Sequence, residues 1–271
     1  MILDWPDCRN VRDVGGLPAA GARAIRAGAL LRSDGHHRLT AAAVRAVRAS
    51  GVSRIIDLRW ARECEEFPSP FAGDPVYRHV PMLNDVLDYD IPPDTYRPML
   101  DHNRPRVAEA FLAVAQAPPG GVVVHCAAGK DRTGVLVALL LAVAGVAAAD
   151  IAEDYALTDG CSPAPMLNTL DHLDRRYGGA DGYLAEAGVG AGHGTRCAPG
   201  CCADPRLPVC CPLSGGPPSA AGAQTAGPRN AASATVPPAG SRPAMPRTRR
   251  DARGRAGSSP PARRPRRCAA G

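Results

Sequence analysis

Lysine is almost absent from this 271-residue chain: Lys130 stands alone among 32 Lys and Arg residues. Against so strong a bias toward Arg, the one exception is informative. Aromatic residues make up only 4% of the chain, and every Phe, Trp and Tyr precedes residue 191. Long apolar runs are missing too. The longest, Gly134 to Ala149, has 16 residues bounded by Asp131-Arg132 and Asp150, which is short for a membrane span and suits a buried core helix. The opening Met1-Ile2-Leu3-Asp4-Trp5-Pro6 has no basic stretch followed by an apolar one. Neither a secretory signal nor a transmembrane segment is expected, and cytoplasm is the default location. Outside the C-terminal region, Cys8, Cys64, Cys126 and Cys161 are widely separated and lack metal-ligand spacing. That excludes a disulfide framework and implies a reducing compartment, with no metal.

Charge is unevenly divided. The last 81 residues hold 13 Arg against Asp204 and Asp251, a net charge of +11, so a whole-chain charge of +6 leaves −5 for the first 190. The same stretch contains 14 of the 28 Pro, six of the ten Cys, and as large aliphatics only Leu207, Val209, Leu213 and Val236. Such a segment buries too little apolar surface to offset the entropy of ordering it. The expected organisation is a catalytic domain over residues 1–190 and a disordered Arg/Pro/Ala/Gly/Cys-rich tail over 191–271. Because the folded part is mildly acidic, nucleic acid is not an expected partner.

Strand and helix signals alternate through the first 190 residues. Leu39, Ala43, Val44 and Val47 have helical spacing, with Thr40 as N-cap and Gly51 as stop. A strand follows at Arg54 to Arg59, and another is expected over Tyr77 to Pro81. Arg106 to Gln116 reads as an amphipathic helix closed by Pro118-Pro119-Gly120-Gly121. Val122-Val123-Val124 is a buried strand, and the long apolar helix comes next, then helices near 149–158 and 165–177. Pro68 to Pro105, rich in Pro, Asp and Tyr, reads as a long loop or lid. The alternation predicts an α/β fold, a central, mostly parallel sheet flanked by helices.

The chemistry concentrates where a strand meets a helix, at His125-Cys126-Ala127-Ala128-Gly129-Lys130-Asp131-Arg132-Thr133-Gly134. A turn from strand to helix directs successive backbone N–H groups inward, and the helix N-terminus adds about half a positive charge. That cup suits a tetrahedral oxyanion. Cys126 lies at its base, where cationic surroundings favour the thiolate. Arg132 offers a planar fork able to grip two phosphate oxygens. Gly129 permits the tight turn, the small Ala127 and Ala128 leave the cup open, and the Thr133 hydroxyl is placed to bond the sulfur. Lys130 is a flexible point charge at the rim, suited to a second phosphate such as a phosphoinositide carries, or to an ion pair with Asp131 or Asp57.

This loop resembles the signature of cysteine-dependent protein tyrosine phosphatases. More narrowly, Gly129-Lys130-Asp131-Arg132 is similar to a bacterial branch with a His-Cys-x-x-Gly-Lys-Asp-Arg loop, which includes a secreted mycobacterial tyrosine and lipid phosphatase. Three earlier stretches match in order: Asn10-Val11-Arg12-Asp13-Val14-Gly15-Gly16, then Gly28-Ala29-Leu30-Leu31-Arg32-Ser33-Asp34, then Ile55-Ile56-Asp57-Leu58-Arg59 with Glu63 and Glu66. Asp154-Tyr155 and Arg176-Tyr177-Gly178-Gly179 extend the match toward Gly190. The resemblance implies a cysteine-phosphatase fold, a phosphocysteine intermediate, no cofactor, and phosphotyrosine protein or another phosphomonoester as substrate. It implies Asp131 as general acid. Asp57, at the end of a predicted strand and so on the active face, is the alternative, and Asp85, Asp88 and Asp90 are third choices. His125 and Asp57 otherwise serve as supporting residues. Because the mycobacterial relative is exported without an obvious signal, export stays open. The rivals are a non-catalytic phosphate-binding module on the same cup and, more distantly, a sulfur transferase.

Weaker features complete the reading. His36-His37 is read as a solvated pair rather than a metal site. Arg12, Asp13, Arg32 and Asp34 are expected to form ion pairs tying the N-terminal segment to the sheet. Cys197, Cys201, Cys202, Cys210 and Cys211 with His193 lack the paired knuckles of a zinc site. The compositional break near Gly190 is also what a shifted reading frame in a GC-rich gene would produce.

Overall fold

The computed structural model describes residue 3, residues 5–190 and the backbone of Cys210–Pro212. The tail, with the zinc and reading-frame expectations attached to it, otherwise lies outside the described residues.

The chain begins with short strands β1 (Arg12–Asp13), β2 (Pro18–Ala19), β3 (Arg23–Ile25) and β4 (Leu30–Ser33). Helix α1 (Ala41–Ala49), strand β5 (Val52–Asp57), helix α2 (Ala61–Glu66) and strand β6 (Tyr77–His79) follow. Next come α3 (Arg97–His102), α4 (Arg104–Ala115) and β7 (Gly121–His125). The helices α5 (Asp131–Val143), α6 (Ala148–Ala156), α7 (Ala164–Tyr177) and α8 (Ala180–Glu186) complete the domain, and β8 (Cys210–Pro212) follows. The main sheet has the order β1-β4-β7-β5-β6. Its β4, β7, β5 and β6 run parallel, while β1 is an antiparallel edge. Strands β2, β3 and β8 form a separate antiparallel sheet.

Strand alternation sorts the core onto two faces, because successive side chains of a strand point opposite ways. Leu30, Ile56, Val122 and Val124 pack with α4, α5 and the later helices. Their neighbours Leu31, Ile55 and Val123 face Val47 of α1, with Trp5 and Phe71. Helices on both faces explain why β7 is buried along its whole length. Thr40 caps α1 by accepting from the Ala43 amide at 3.3 Å, and Gly51 follows the helix at φ 75°.

Two sequence expectations need correction. The apolar run does not form one helix to Ala149: α5 ends at Val143, and α6 is a separate element. Gly145 makes the break, with φ 84° and its amide bonded to the Ala142 carbonyl at 2.9 Å, a left-handed conformation open to glycine. Within the stretch from Pro68 to Pro105, β6 forms where a strand is expected, but α3 and the first residues of α4 replace the expected loop at its end. Its irregular middle, where Val86 and Ile91 are exposed, leads into the buried Tyr96. Among the described residues, no helix is long and apolar enough to cross a membrane.

Helix α5 is buried all round from Arg132 to Leu141, and Gly134 lets α6 approach it. A Cβ at Gly134 would lie 2.9 Å from the Tyr155 ring. Gly134→Val is expected to destabilise the domain by about 1–3 kcal/mol through overpacking. Urea unfolding measures this, and an unchanged midpoint would contradict close α5–α6 packing.

Candidate active site

Strand β7 ends at His125, which is in register with Ser33 of β4 and Asp57 of β5. Cys126 therefore emerges at the carboxyl edge of the central strand, flanked on both sides. Its side chain is buried, whereas Ala127 and Ala128 are exposed and leave the loop open above it. Gly129 has φ 68°, and a Cβ there would come within 2.4 Å of the Ser33 carbonyl oxygen. No other residue fits without moving β4. Lys130 occupies the N-cap of α5.

The loop carbonyls are held from outside. The Gly35 amide donates to Ala127 O at 2.9 Å, and Asn10 Nδ2 donates to Ala128 O at 3.2 Å and Gly129 O at 3.0 Å. Arg32 Nη2 also reaches Gly129 O, at 2.9 Å, and His125 Nδ1 faces Cys126 O at 3.2 Å. In a trans peptide the N–H points opposite to the C=O. With three consecutive carbonyls tied outward, the amides of Ala128, Gly129 and Lys130 face away from this scaffold, toward the concave side of the loop. Arg32, and Arg12, which donates from Nη1 to Asn10 Oδ1 at 2.7 Å, are buried and share one counterion. Asp154 of α6 accepts from Arg12 Nε at 3.0 Å and Arg32 Nη1 at 2.9 Å. The sequence expectation placed Asp13 and Asp34 in this role. Asp154 is not part of that reading; Asp34 accepts from the amides of Arg9 and Asn10, and the partners of Asp13 include the amides of Gly15 and Gly28.

Arg132 is clamped by Glu63 of α2. Its Nη1 and Nη2 donate to the two carboxylate oxygens at 2.5 and 2.9 Å. Trp60 covers the guanidinium, with Cζ 4.7 Å from the ring centroid, and its backbone amide holds Glu63 Oε2 at 2.8 Å. Burial acts to raise the Glu63 carboxyl, but the bonds from Arg132 and the Trp60 amide outweigh it and lower it. Of the five N–H donors of a guanidinium, two go to Glu63, so the fork is aimed while donors remain for an anion. Sequence reasoning met Glu63 only within a matching stretch. Its pairing with a residue 69 positions away leaves no local signal.

Asp131 begins α5 at the rim, half-buried. Its Oδ1 accepts from the Tyr96 hydroxyl at 2.5 Å, and that hydroxyl lies 2.6 Å from the Tyr155 hydroxyl. Lys130, also half-buried, forms no ion pair among the described residues, so the alternative reading of a bridge to Asp131 or Asp57 is not realised. The Thr133 hydroxyl is fully buried and, among the described residues, without a hydrogen-bond partner. The expected bond to the sulfur is thus absent in this state.

Beneath the cup, Asp57 is inaccessible to solvent and fully engaged. Oδ1 takes Arg59 N and Nε, both at 3.0 Å, and Oδ2 takes Arg59 Nη2 at 2.7 Å and the Tyr77 hydroxyl at 2.8 Å. Burial would raise this carboxyl, but His125 and the bidentate Arg59 hold it below the usual carboxylate range. A buried carboxylate bonded on both oxygens is better placed to anchor the end of β5 than to hand a proton to a leaving group. Asp85, Asp88 and Asp90 are exposed, and Asp88 pairs with His102 at 3.2 Å. His36 is not solvated as expected: it is buried, bonds Ser33 Oγ at 2.9 Å and stacks on His125 at 4.1 Å.

The chain is similar to several known proteins. The profile described as the tyrosine phosphatase family matches residues 3–163. A tyrosine-protein phosphatase from Nostoc commune is 32% identical over 217 residues, covering 64% of this chain and 74% of that protein. The triple specificity protein phosphatase PtpB of Mycobacterium tuberculosis is 25% identical over 213 residues, covering 65% and 76% respectively.

Asp57→Asn leaves Arg59 buried without its counterion, and is expected to destabilise the domain by about 3–5 kcal/mol at neutral pH. Because the folded-state value is depressed, this contribution is complete above the unfolded carboxyl value of about 3.9 and is lost as pH falls through the folded one. Chemical denaturation of both proteins at pH 7 and in acid should show the gap narrowing below about pH 4. A gap that widens in acid contradicts the assignment.

Proposed function

The chain belongs to the tyrosine phosphatase family, and from that premise we propose that it hydrolyses phosphotyrosine through a covalent phosphocysteine on Cys126. Family membership makes it a phosphoric monoester hydrolase acting on phosphorylated substrates. The observation that carries the mechanism is the outward anchoring of three loop carbonyls around a buried Cys126. It leaves the loop amides and the aimed Arg132 to hold a tetrahedral oxyanion.

In the first step the Cys126 thiolate attacks phosphorus in line, so an S–P bond forms as the P–O bond to the tyrosyl oxygen breaks. The α5 N-terminus and Arg132 stabilise the thiolate before attack and the equatorial oxygens during it. Asp131 supplies a proton to the departing oxygen. In the second step water attacks the phosphocysteine, its proton passes to Asp131, and the S–P bond breaks to release phosphate and regenerate the thiolate. The buried Thr133 hydroxyl, without a hydrogen-bond partner among the described residues, is proposed to meet the sulfur as it leaves.

We assign the chain to the branch with the His-Cys-x-x-Gly-Lys-Asp-Arg loop, whose residue types it carries in order. Lys130 is the proposed contact for a second phosphate, which extends the substrate range to phosphoinositides. Phosphoserine and phosphothreonine are proposed as lesser substrates, since their alkoxides are poorer leaving groups than a phenol near pKa 10. The name of the mycobacterial relative, a triple specificity protein phosphatase, supports a range wider than phosphotyrosine alone.

Hydrolysis of an aryl phosphate in the presence of a chelator tests the mechanism. Cys126→Ser should abolish turnover, and Asp131→Asn should reduce it by roughly 10²–10⁴-fold with a poor leaving group. Persistence of turnover in Cys126→Ser contradicts the thiol mechanism. Lys130→Ala should lower activity on a phosphoinositide several-fold more than on a phosphotyrosine peptide. Equal losses on both remove Lys130 from second-phosphate recognition.

A further inference from the structure

We propose that Tyr96 is a positioning residue that fixes the Asp131 carboxyl for proton transfer to the leaving oxygen. The inference rests on the reading of Asp131 as general acid. Asp131 lies in the first turn of α5, and the Tyr96 hydroxyl reaches it from the start of α3, 35 positions away in sequence. Tyr96 is only 5% exposed, with its ring in the main core. Its hydroxyl is the one protein group hydrogen-bonded to the Asp131 carboxyl among the described residues.

Direction follows from proton count. A phenol has one O–H, and Tyr96 spends it on Asp131 Oδ1 at 2.5 Å. The contact of 2.6 Å between the two phenols is then donated by Tyr155. The Tyr155 ring is itself edge-on to Tyr96 and pressed against Gly134, one turn along α5 from Asp131. The chain of donors therefore runs Tyr155 to Tyr96 to Asp131 and is braced at each end by α5. With Oδ1 occupied as acceptor, the transferable proton resides on Oδ2, and the carboxyl cannot rotate without losing the Tyr96 bond. Oδ2 gives that proton to the leaving oxygen as the P–O bond breaks, and takes one back from the attacking water. Tyr96 itself exchanges no proton with substrate. Burial and the bond to Asp131 both push the Tyr96 phenol upward, which keeps its proton in place.

The test is a series of aryl phosphates of rising leaving-group pKa, turned over by wild type, Asp131→Asn, Tyr96→Phe and the double variant. Misplacing a catalytic group falls hardest on poor leaving groups. Tyr96→Phe should lose little with the best leaving group and about tenfold or more with the poorest, and add nothing in the Asp131→Asn background. A uniform loss across the series, or losses that multiply in the double variant, would overturn the proposal. A leaving-group dependence in Asp131→Asn no steeper than in wild type would instead remove Asp131 as the acid and the premise with it. Tyr155→Phe, which keeps Tyr96 and removes only the donor behind it, should steepen the series in the same sense by a smaller factor. It provides the reading should Tyr96→Phe fail to fold, and an unchanged series there counts against the proposal.

Discussion

Arg32 is 1% exposed and Arg12 3%, and a guanidinium cannot escape burial by giving up its proton. Moving such an ion out of water costs several kcal/mol even after relaxation, so both depend on the single carboxylate of Asp154. That shared counterion joins the N-terminal edge of the sheet to α6, and through Arg32 Nη2 it reaches the Gly129 carbonyl. The loop proposed to cradle phosphate is therefore shaped by a buried ion cluster behind it. Removing Asp154 would disturb the cup without touching any group that meets the substrate.

The same economy recurs around the site. Each proposed catalytic side chain is aimed by a partner from a different element: Arg132 by Glu63 of α2, Asp131 by Tyr96 at the start of α3, and the loop by Asn10 and Arg32. Geometry held in advance lowers the reorganisation needed when charge develops on the transferring phosphoryl group. Asp57 and Arg59 anchor the adjacent strand end, and their mutual neutralisation lets β5 terminate in charge beneath the loop.

Much of this was legible in the sequence because it is local. Val122 to Gly134 writes strand, loop and helix in one continuous stretch, and the alternating signals before it identify the sheet. The β5 boundary shifted by two residues, and the apolar run divided at Gly145, a position where composition alone does not distinguish a helix interior from a turn. What could not be read were the pairings. Asp154 lies 142 and 122 positions from its two arginines, and Tyr96 sits in a stretch whose Pro and Asp content reads as loop. Such contacts are set by packing of α3, α5 and α6 rather than by spacing. His36 shows the same limit, since only the stack on His125 reveals that it belongs to the core.

The central claim is a covalent bond between Cys126 and phosphorus, and rapid acid quench during turnover tests it most directly. Mass analysis of the peptides should find one phosphoryl group on the fragment containing Cys126. Its occupancy should rise when breakdown is slowed in Asp131→Asn with an aryl phosphate whose departure needs no acid. Turnover with no phosphorylated Cys126 at any quench time, or with the phosphoryl group on another residue, would contradict the account.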